Sequence, residues 1–179
     1  MEKSMQNQAA RPLALGLTVL GGLARMSQNL NFAPVGAISL FAGARLRGWQ
    51  AYALPIVLML VTDPFLGGFS FATPFVYASF LLNVWIGSRL RNTERPALLA
   101  GAAVLSSVQF FVLTNFGTWL APHAPYPHTF GGLWACYVAA VPFVRGTLTS
   151  DLVYTGVLFG LHAVLSRVVV RSERVPATA

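Results

Sequence analysis

The chain has 179 residues, of which 55% are hydrophobic and only 9% are charged, and its formal net charge is +7. Soluble globular domains carry about 25% charged residues, so this chain has too few charges to cover a surface that faces water. The basic residues lie at the ends of apolar segments and form no basic stripe, which excludes nucleic-acid binding as the reason for the positive charge. Composition therefore predicts a protein whose solvent is the lipid bilayer.

The N-terminal stretch MEKSMQNQAAR is too polar to begin a cleaved signal peptide, and we expect residues 1–11 to form a cytoplasmic tail. The transmembrane domain is predicted over 12–170. The C-terminal stretch RSERVPATA is polar and contains proline, so residues 171–179 are expected to form a second cytoplasmic tail.

Six apolar segments predict an all-α integral membrane bundle of six transmembrane helices. Several are shorter than the roughly 20 residues that a perpendicular helix needs to span the hydrocarbon. Extension by a turn, bilayer thinning or burial within the bundle accommodates such lengths. In chain order the segments are Pro12–Ala24, Phe32–Ala44, Trp49–Thr62, Pro74–Ser88, Pro96–Leu120 and Thr147–Leu165.

A seventh apolar stretch, Gly131–Val144, follows a polar and aromatic cluster and is only about fourteen residues long. Its length predicts a short interfacial or re-entrant helix in the last outer loop.

The basic residues predict the orientation. With both termini in the cytoplasm, Arg25 and Arg145 lie on the outer side and the other ten of the twelve basic residues lie inside, which is the expected bias. We therefore expect a multi-pass membrane protein with both termini in the cytoplasm, and the family resemblance described below implies that the membrane is the bacterial inner (cytoplasmic) membrane. The inner residues are Lys3, Arg11, Arg45, Arg47, Arg89, Arg91, Arg95, Arg167, Arg171 and Arg174.

Small residues recur every four positions on the first helix, at Ala14, Thr18 and Gly22. This spacing allows close backbone approach to another helix. Two interpretations follow, packing within the chain and docking of a partner membrane protein.

Two acidic residues lie at the outer end of the predicted bundle. Asp63 lies at the start of a turn that contains Pro64 and Gly67-Gly68. Two roles are open for it, closing this turn or binding a ligand. Asp151 lies one turn into the last predicted helix, where an acid is favoured by the helix dipole and where Arg145 is close enough in sequence to pair with it.

An amide and several aromatic side chains lie at the same end. Asn115 is one turn inside the end of its helix, so it must find partners within the bundle or line a wet cavity. Trp119 and Tyr126 either belong to the interfacial aromatic belt or form ligand walls. Because Asn115 and Trp119 are four residues apart, we expect them to face one pocket, closed by the proline-rich loop around Tyr126 and His128.

Together these residues predict a site for a small polar ligand with a ring. The candidate binding residues are Asn31, Asp63, Asn115, Trp119, Tyr126, His128, Arg145 and Asp151.

Neither a metal site nor catalysis is expected. His123 and His128 lack the tight spacing of metal ligands, and Cys136 lies in an apolar helix. The sequence contains no nucleophile elbow, HExxH motif, Walker loop or dinucleotide-binding glycine pattern. We therefore predict a protein that is not an enzyme and has no cofactor.

The stretches NFAPVGAISLFAG, VTDPFLGG, FFVLTNFGTWL, YPHTFGGLWACYVAAVPF and GTLTSDLVYTGVLFG resemble an uncharacterised bacterial family of small membrane transport proteins. Members of that family look like the substrate-binding (S) components of energy-coupling-factor vitamin transporters. The resemblance covers the chain from about Leu13 to Gly160. This chain has SQNLNFAP where the family pattern carries histidine and proline before NFAP.

The resemblance implies a six-helix protein that binds a small vitamin-like molecule near its outer face. It also implies that Ala14, Thr18 and Gly22 dock on a transmembrane coupling subunit served by ATPases. The alternative function is a small structural or accessory subunit of a larger membrane complex. A binder needs its outer polar residues to converge on a cavity, whereas a packing subunit does not.

Overall fold

The computed structural model describes the backbone of residues 2–27, 34–91 and 93–173, and the side chains of residues 12–26, 34–91 and 93–168. These residues form six α-helices and two short 3₁₀ helices, with no strand among them. The α-helices are α1 (Glu2–Ala24), α2 (Val35–Arg45), α3 (Gln50–Thr62), α4 (Thr73–Ser88), α5 (Pro96–Leu120) and α6 (Phe130–Glu173), and the 3₁₀ helices are Arg25–Ser27 and Asp63–Phe65.

The all-α prediction is confirmed. The predicted segments match α2, α3, α4 and α5 to within three residues at each end. Helix α1 ends at Ala24 as predicted but begins at Glu2, so residues of the predicted N-terminal tail continue the first helix.

The last helix corrects one prediction. The stretch Gly131–Val144 is not a separate interfacial or re-entrant helix but the first part of α6, which runs without a break through Pro142 to Glu173. The junction between the two predicted segments contains Gly146 and no proline. A single glycine costs only about 1 kcal/mol relative to alanine within a helix. Packing against α5 along this part of α6 is enough to keep the helix continuous.

Among the described residues, two helices are long and apolar enough to cross a membrane, namely α5 and the part of α6 from Phe130 to Val168. The other apolar helices are shorter, and α2 has only 11 residues. At 1.5 Å per residue α2 is about 16 Å long, roughly half the thickness of a hydrocarbon core.

Helix α2 lies at the centre of the bundle, and each of its residues from Val35 to Ala44 is buried. Backbone contact with α4 makes this possible. A Cβ atom at Gly43 would overlap the carbonyl oxygen of Val84, and one at Gly87 would overlap the carbonyl oxygen of Leu40. Because both glycines lack side chains, the two helices approach each other at backbone distance.

The interior of the bundle is unusually polar, and its surface is unusually apolar. Gln109 of α5 donates through Nε2 to the Asn83 side-chain oxygen at 2.7 Å and to the Ser79 and Ser106 carbonyl oxygens at 3.1 Å. Large apolar side chains meanwhile point outward from the helices. They include Leu20, Leu23, Val57, Leu60, Val61, Trp85, Leu105, Val108, Trp134, Val141, Val157 and Val164.

The small residues of α1 pack inside the chain. Ala14 and Thr18 are fully buried, and the Thr18 hydroxyl donates to the Ala14 carbonyl oxygen at 2.7 Å. A Cβ atom at Gly22 would lie 2.7 Å from a methyl group of Leu58 in α3. Of the two interpretations of this spacing, the structure therefore agrees with packing within the chain. The three residues leave no exposed surface on this helix face for a docking partner.

The contact between α2 and α4 yields a stability prediction. We expect Gly87→Ala to lower the free energy of unfolding by about 1–3 kcal/mol or more, because the new methyl group meets backbone that cannot move aside. Gly101→Ala is the matched control, since nothing lies within 4 Å of its Cβ position and alanine favours a helix by about 1 kcal/mol over glycine. Unfolding of the two variants and the wild type in detergent micelles measures these free energies. Equal stability of the two variants would contradict the close contact.

Candidate functional site

A partly buried ion pair joins the 3₁₀ helix after α1 to the 3₁₀ helix after α3, at one end of the bundle that is here called the Arg25 end. Arg25 Nη2 lies 2.7 Å from Asp63 Oδ1, and Arg25 Nη1 donates to the Thr62 hydroxyl. The Tyr77 hydroxyl of α4 donates to Asp63 Oδ2 at 2.6 Å. Both carboxylate oxygens of Asp63 are therefore occupied, and Arg25 is held in a fixed orientation.

The turn after α3 positions this carboxylate. Asp63 begins a 3₁₀ helix, and its carbonyl oxygen accepts hydrogen bonds from the N–H groups of Leu66 at 3.0 Å and Gly68 at 2.8 Å. Gly67 and Gly68 have φ angles of +121° and +77°, a backbone conformation that favours glycine. Asp63 thus closes the turn through its main chain, while its side chain holds Arg25.

The second acid binds the N-terminus of α2. Asp151 Oδ2 accepts a hydrogen bond from the Ser107 hydroxyl at 2.7 Å, and the Ala37 N–H also donates to this carboxylate. A Cβ atom at Gly36 would overlap the carboxylate oxygens. Helix α2 has no side-chain cap of its own, so Asp151 of α6 supplies the negative group that the free N–H groups and the dipole favour there.

These two polar groups meet at a cavity of about 200 Å³, here called the Arg25 cavity. Arg25 and Asp151 both line it, so a basic and an acidic residue contribute to the same wall. The Phe80 and Phe110 rings, stacked with centroids 5.3 Å apart, also line the cavity. The remaining lining residues are Val35, Gly36, Met59, Val76 and Thr147.

A second cavity of about 200 Å³ lies between α5 and α6, and Asn115 lines it. The Asn115 amide donates to the Phe111 carbonyl oxygen at 2.8 Å, which leaves its side-chain oxygen free to accept. Phe110 and Thr147 line both cavities, so the two are neighbours.

Trp119 contacts the loop after α5 and lines neither of these cavities. Its indole Nε1 donates to the Pro127 carbonyl oxygen at 3.0 Å, and its ring meets the His128 ring edge-on at 5.5 Å. The Trp119 indole therefore contacts the proline-rich loop at the end of α5. Of the two residues, only Asn115 lines one of these two cavities.

The other candidate residues are dispersed. Arg145 is exposed on α6 and forms no ion pair with Asp151, although the two are six positions apart. His128 is exposed and Tyr126 is partly buried, and neither lines the two cavities. Asn31 lies outside the described residues. Within the described part of the chain, no three His, Cys, Asp or Glu side chains group as a metal site would need.

Several residues that line the Arg25 cavity, or that donate hydrogen bonds to Asp63 and Asp151, are not singled out by the sequence. Arg25 was identified only as an outer basic residue, yet it is a charge close to an apolar segment, and such charges are functional candidates by default. Tyr77, Phe80, Phe110 and Ser107 gave no comparable signal, since each lies among other apolar or small residues of its helix.

Comparison with known proteins adds a family. A family of unknown function, DUF6580, matches residues 5–175 of the chain. The chain belongs to the DUF6580 family. No curated protein and no solved structure matches it.

The paired charges of this DUF6580 chain are expected to be energetically coupled. We expect Asp63→Asn to lower the free energy of unfolding by about 3 kcal/mol, because Arg25 then keeps its charge with the side chain only 17% exposed. Combining it with Arg25→Gln should cost less than the sum of the two single changes. Arg145→Gln is the control, because Arg145 is exposed and lies outside this network. It should change the free energy of unfolding by no more than about 0.5 kcal/mol. If the effects of Arg25→Gln and Asp63→Asn on the free energy of unfolding in micelles are strictly additive, the two residues are not coupled as an ion pair.

Proposed function

We propose that this chain is a six-pass protein of the bacterial inner membrane that binds a small, ring-containing polar molecule in the Arg25 cavity for uptake. The observation that carries the proposal is the Arg25 cavity itself, which is lined by a basic residue, an acidic residue and two phenylalanines. Convergent polar groups among apolar walls are the usual composition of a small-molecule site.

The distribution of polarity supports a membrane location. Soluble monomers rarely expose contiguous apolar patches larger than a few hundred Å². Here every helix from α3 to α6 exposes large apolar side chains, while Asp63, Asn83, Asp151 and several hydroxyl residues are buried. Lipid is the solvent that favours this arrangement. Helix α2 needs no lipid contact because protein surrounds it, so its short length is compatible with a place inside a membrane bundle.

The positions of the basic side chains support the orientation with both termini in the cytoplasm. Arg25 lies at one end of the bundle, paired with Asp63. Arg45 lies at the opposite end, where its guanidinium donates to the carbonyl oxygens of Arg91 at 3.2 Å and Thr93 at 3.1 Å. The second end is the one rich in arginine, and the positive-inside rule assigns it to the cytoplasm.

The cavity favours a ligand with complementary polar ends. The Asp151 carboxylate accepts two hydrogen bonds, one from Ser107 and one from Ala37. A carboxylate can accept about four. It therefore still accepts from a ligand N–H or ammonium group, while Arg25 favours a ligand oxygen. A volume of about 200 Å³ equals that of roughly seven water molecules, which suits a single-ring molecule.

Uptake against a concentration gradient requires energy from a partner or an ion gradient, since the sequence contains no Walker loop to supply it. In the S-component-like proposal a transmembrane coupling subunit with ATPases supplies this energy. Since Ala14, Thr18 and Gly22 are packed inside the chain, such a subunit would contact a different surface. A packing subunit of a larger complex, the alternative function, would need no ligand in the cavity.

Native mass spectrometry of the protein purified in mild detergent from its own host tests the ligand. We expect a retained non-covalent adduct of small mass. Asp151→Asn should reduce its occupancy about tenfold or more, because a hydrogen bond to a charged group contributes about 1.5–3 kcal/mol. Arg145→Gln is the control and should retain the adduct. If folded wild-type protein carries no adduct, or if Asp151→Asn retains it fully, the binding proposal fails.

Cysteine labelling in intact cells tests the orientation separately. On a Cys136→Ala background, we expect Ser70→Cys, in the exposed turn before α4, to react with an impermeant maleimide from outside. Gln50→Cys, exposed at the start of α3, should react only after the cells are permeabilised. The reverse labelling pattern would mean that the bundle has the opposite orientation in the membrane.

A further inference from the structure

A third cavity, larger than the two described above, lies at the opposite end of the bundle and takes no part in the proposed ligand site. It has a volume of about 450 Å³ and lies between α5 and α6, with Arg45 of α2 contributing to its wall. We call it the Arg45 groove. Leu99, Leu152, Gly156 and Gly160 supply much of its apolar lining.

We propose that the Arg45 groove binds an anionic phospholipid of the inner leaflet, with its phosphate beside the arginines and an acyl chain along the glycine face of α6. The proposal shares only the membrane orientation with the uptake function and does not depend on a ligand in the Arg25 cavity.

The charges at the groove favour an anion. Arg45 and Arg167 line it together with one acid, Glu94, which leaves one positive charge in excess. Arg167 and Glu94 form only an exposed pair at 3.8 Å. The groove also reaches Pro96 at the N-terminus of α5, the positive end of that helix dipole. Basic pockets between transmembrane helices on the cytoplasmic side are a recurring site for anionic lipid headgroups.

Two buried polar atoms at the groove have no partner among the described residues. Arg45 Nε has none, although both terminal nitrogens of its guanidinium donate to main-chain carbonyl oxygens. The guanidinium lies 4.8 Å from the ring centroid of Phe159, which holds it against the groove wall. The Thr155 hydroxyl, on a residue only 3% exposed, also lacks a partner and lines the groove. The wall of the groove at this point therefore contains polar groups as well as apolar ones.

The apolar part of the groove has the dimensions of an acyl chain. From Leu152 to Arg167 the groove follows α6 for about 22 Å, compared with about 15 Å for the hydrocarbon of one leaflet. Nothing lies within 4 Å of a Cβ atom at Gly156 or Gly160, so the space over both glycines is open. A volume of about 450 Å³ holds roughly fifteen water-sized groups, comparable to the methylenes of one chain.

The open glycines allow a direct test on the full-length protein. Gly156→Leu places a side chain in the groove, and the first atom of that side chain meets nothing within 4 Å. Gly101→Leu, whose Cβ position is also open but lies outside the groove, is the matched control. Arg167→Gln removes one charge. It is preferable to a change at Arg45, whose terminal nitrogens also hold the backbone of residues 91 and 93.

Delipidated protein in mild detergent is mixed with phosphatidylglycerol or phosphatidylcholine of identical acyl chains, and native mass spectrometry measures bound lipid. We expect a preference for phosphatidylglycerol that Arg167→Gln reduces about fivefold. Gly156→Leu should weaken binding of either lipid about tenfold while its thermal unfolding stays like that of Gly101→Leu.

Several results would overturn the proposal. Equal binding of the two lipids by the wild type would remove the role of the arginines. An equal loss in Gly101→Leu would show adventitious lipid only. Displacement of the lipid by inorganic phosphate would indicate a simple anion site. A wild-type dimer that Gly156→Leu dissociates would assign the glycine face to a partner helix instead.

Discussion

The complete burial of α2 is the constraint on which the rest of the structure depends. This 11-residue helix is surrounded by the other helices, and Gly43 and Gly87 let α4 approach it at backbone distance. Burial also leaves the N-terminus of α2 away from water, where its free N–H groups need an acceptor. Asp151 of α6 supplies it, and Gly36 makes room for the carboxylate. The same contacts therefore fix α4 and α6 around the central helix.

The Arg25 cavity is a consequence of this arrangement. Asp151 binds the N-terminus of α2, and Asp63 forms an ion pair with Arg25. These separate contacts place two acids and one base at the same end of the bundle. Burying charged groups is costly unless each finds a partner, and every charge here has one. The space between them retains unused hydrogen-bonding capacity, which is the property that a binding site requires and a packing subunit does not.

Hydrophobic segmentation predicted the helices well because apolar length and the helix breakers Pro and Gly are local signals, as the matching bounds of α5 show. The partners of the charged residues could not be predicted in the same way. Arg145 lies near Asp151 in sequence, but Asp63 pairs with Arg25, 38 positions away, because helix packing brings them together. Trp119 and Asn115 share a helical spacing, yet a hydrogen bond to Pro127 directs the indole to the loop. The continuity of α6 likewise follows from packing against α5.

The most direct test of the account is an experimental density map of the protein, purified from its host and held in lipid nanodiscs. We expect helix α2 enclosed by the other five helices and non-protein density in the Arg25 cavity that contacts both the Arg25 guanidinium and the Asp151 carboxylate. A cavity closed by its own side chains, with Arg25 and Asp151 directed away from each other, would contradict the claim that these two charges form a binding site.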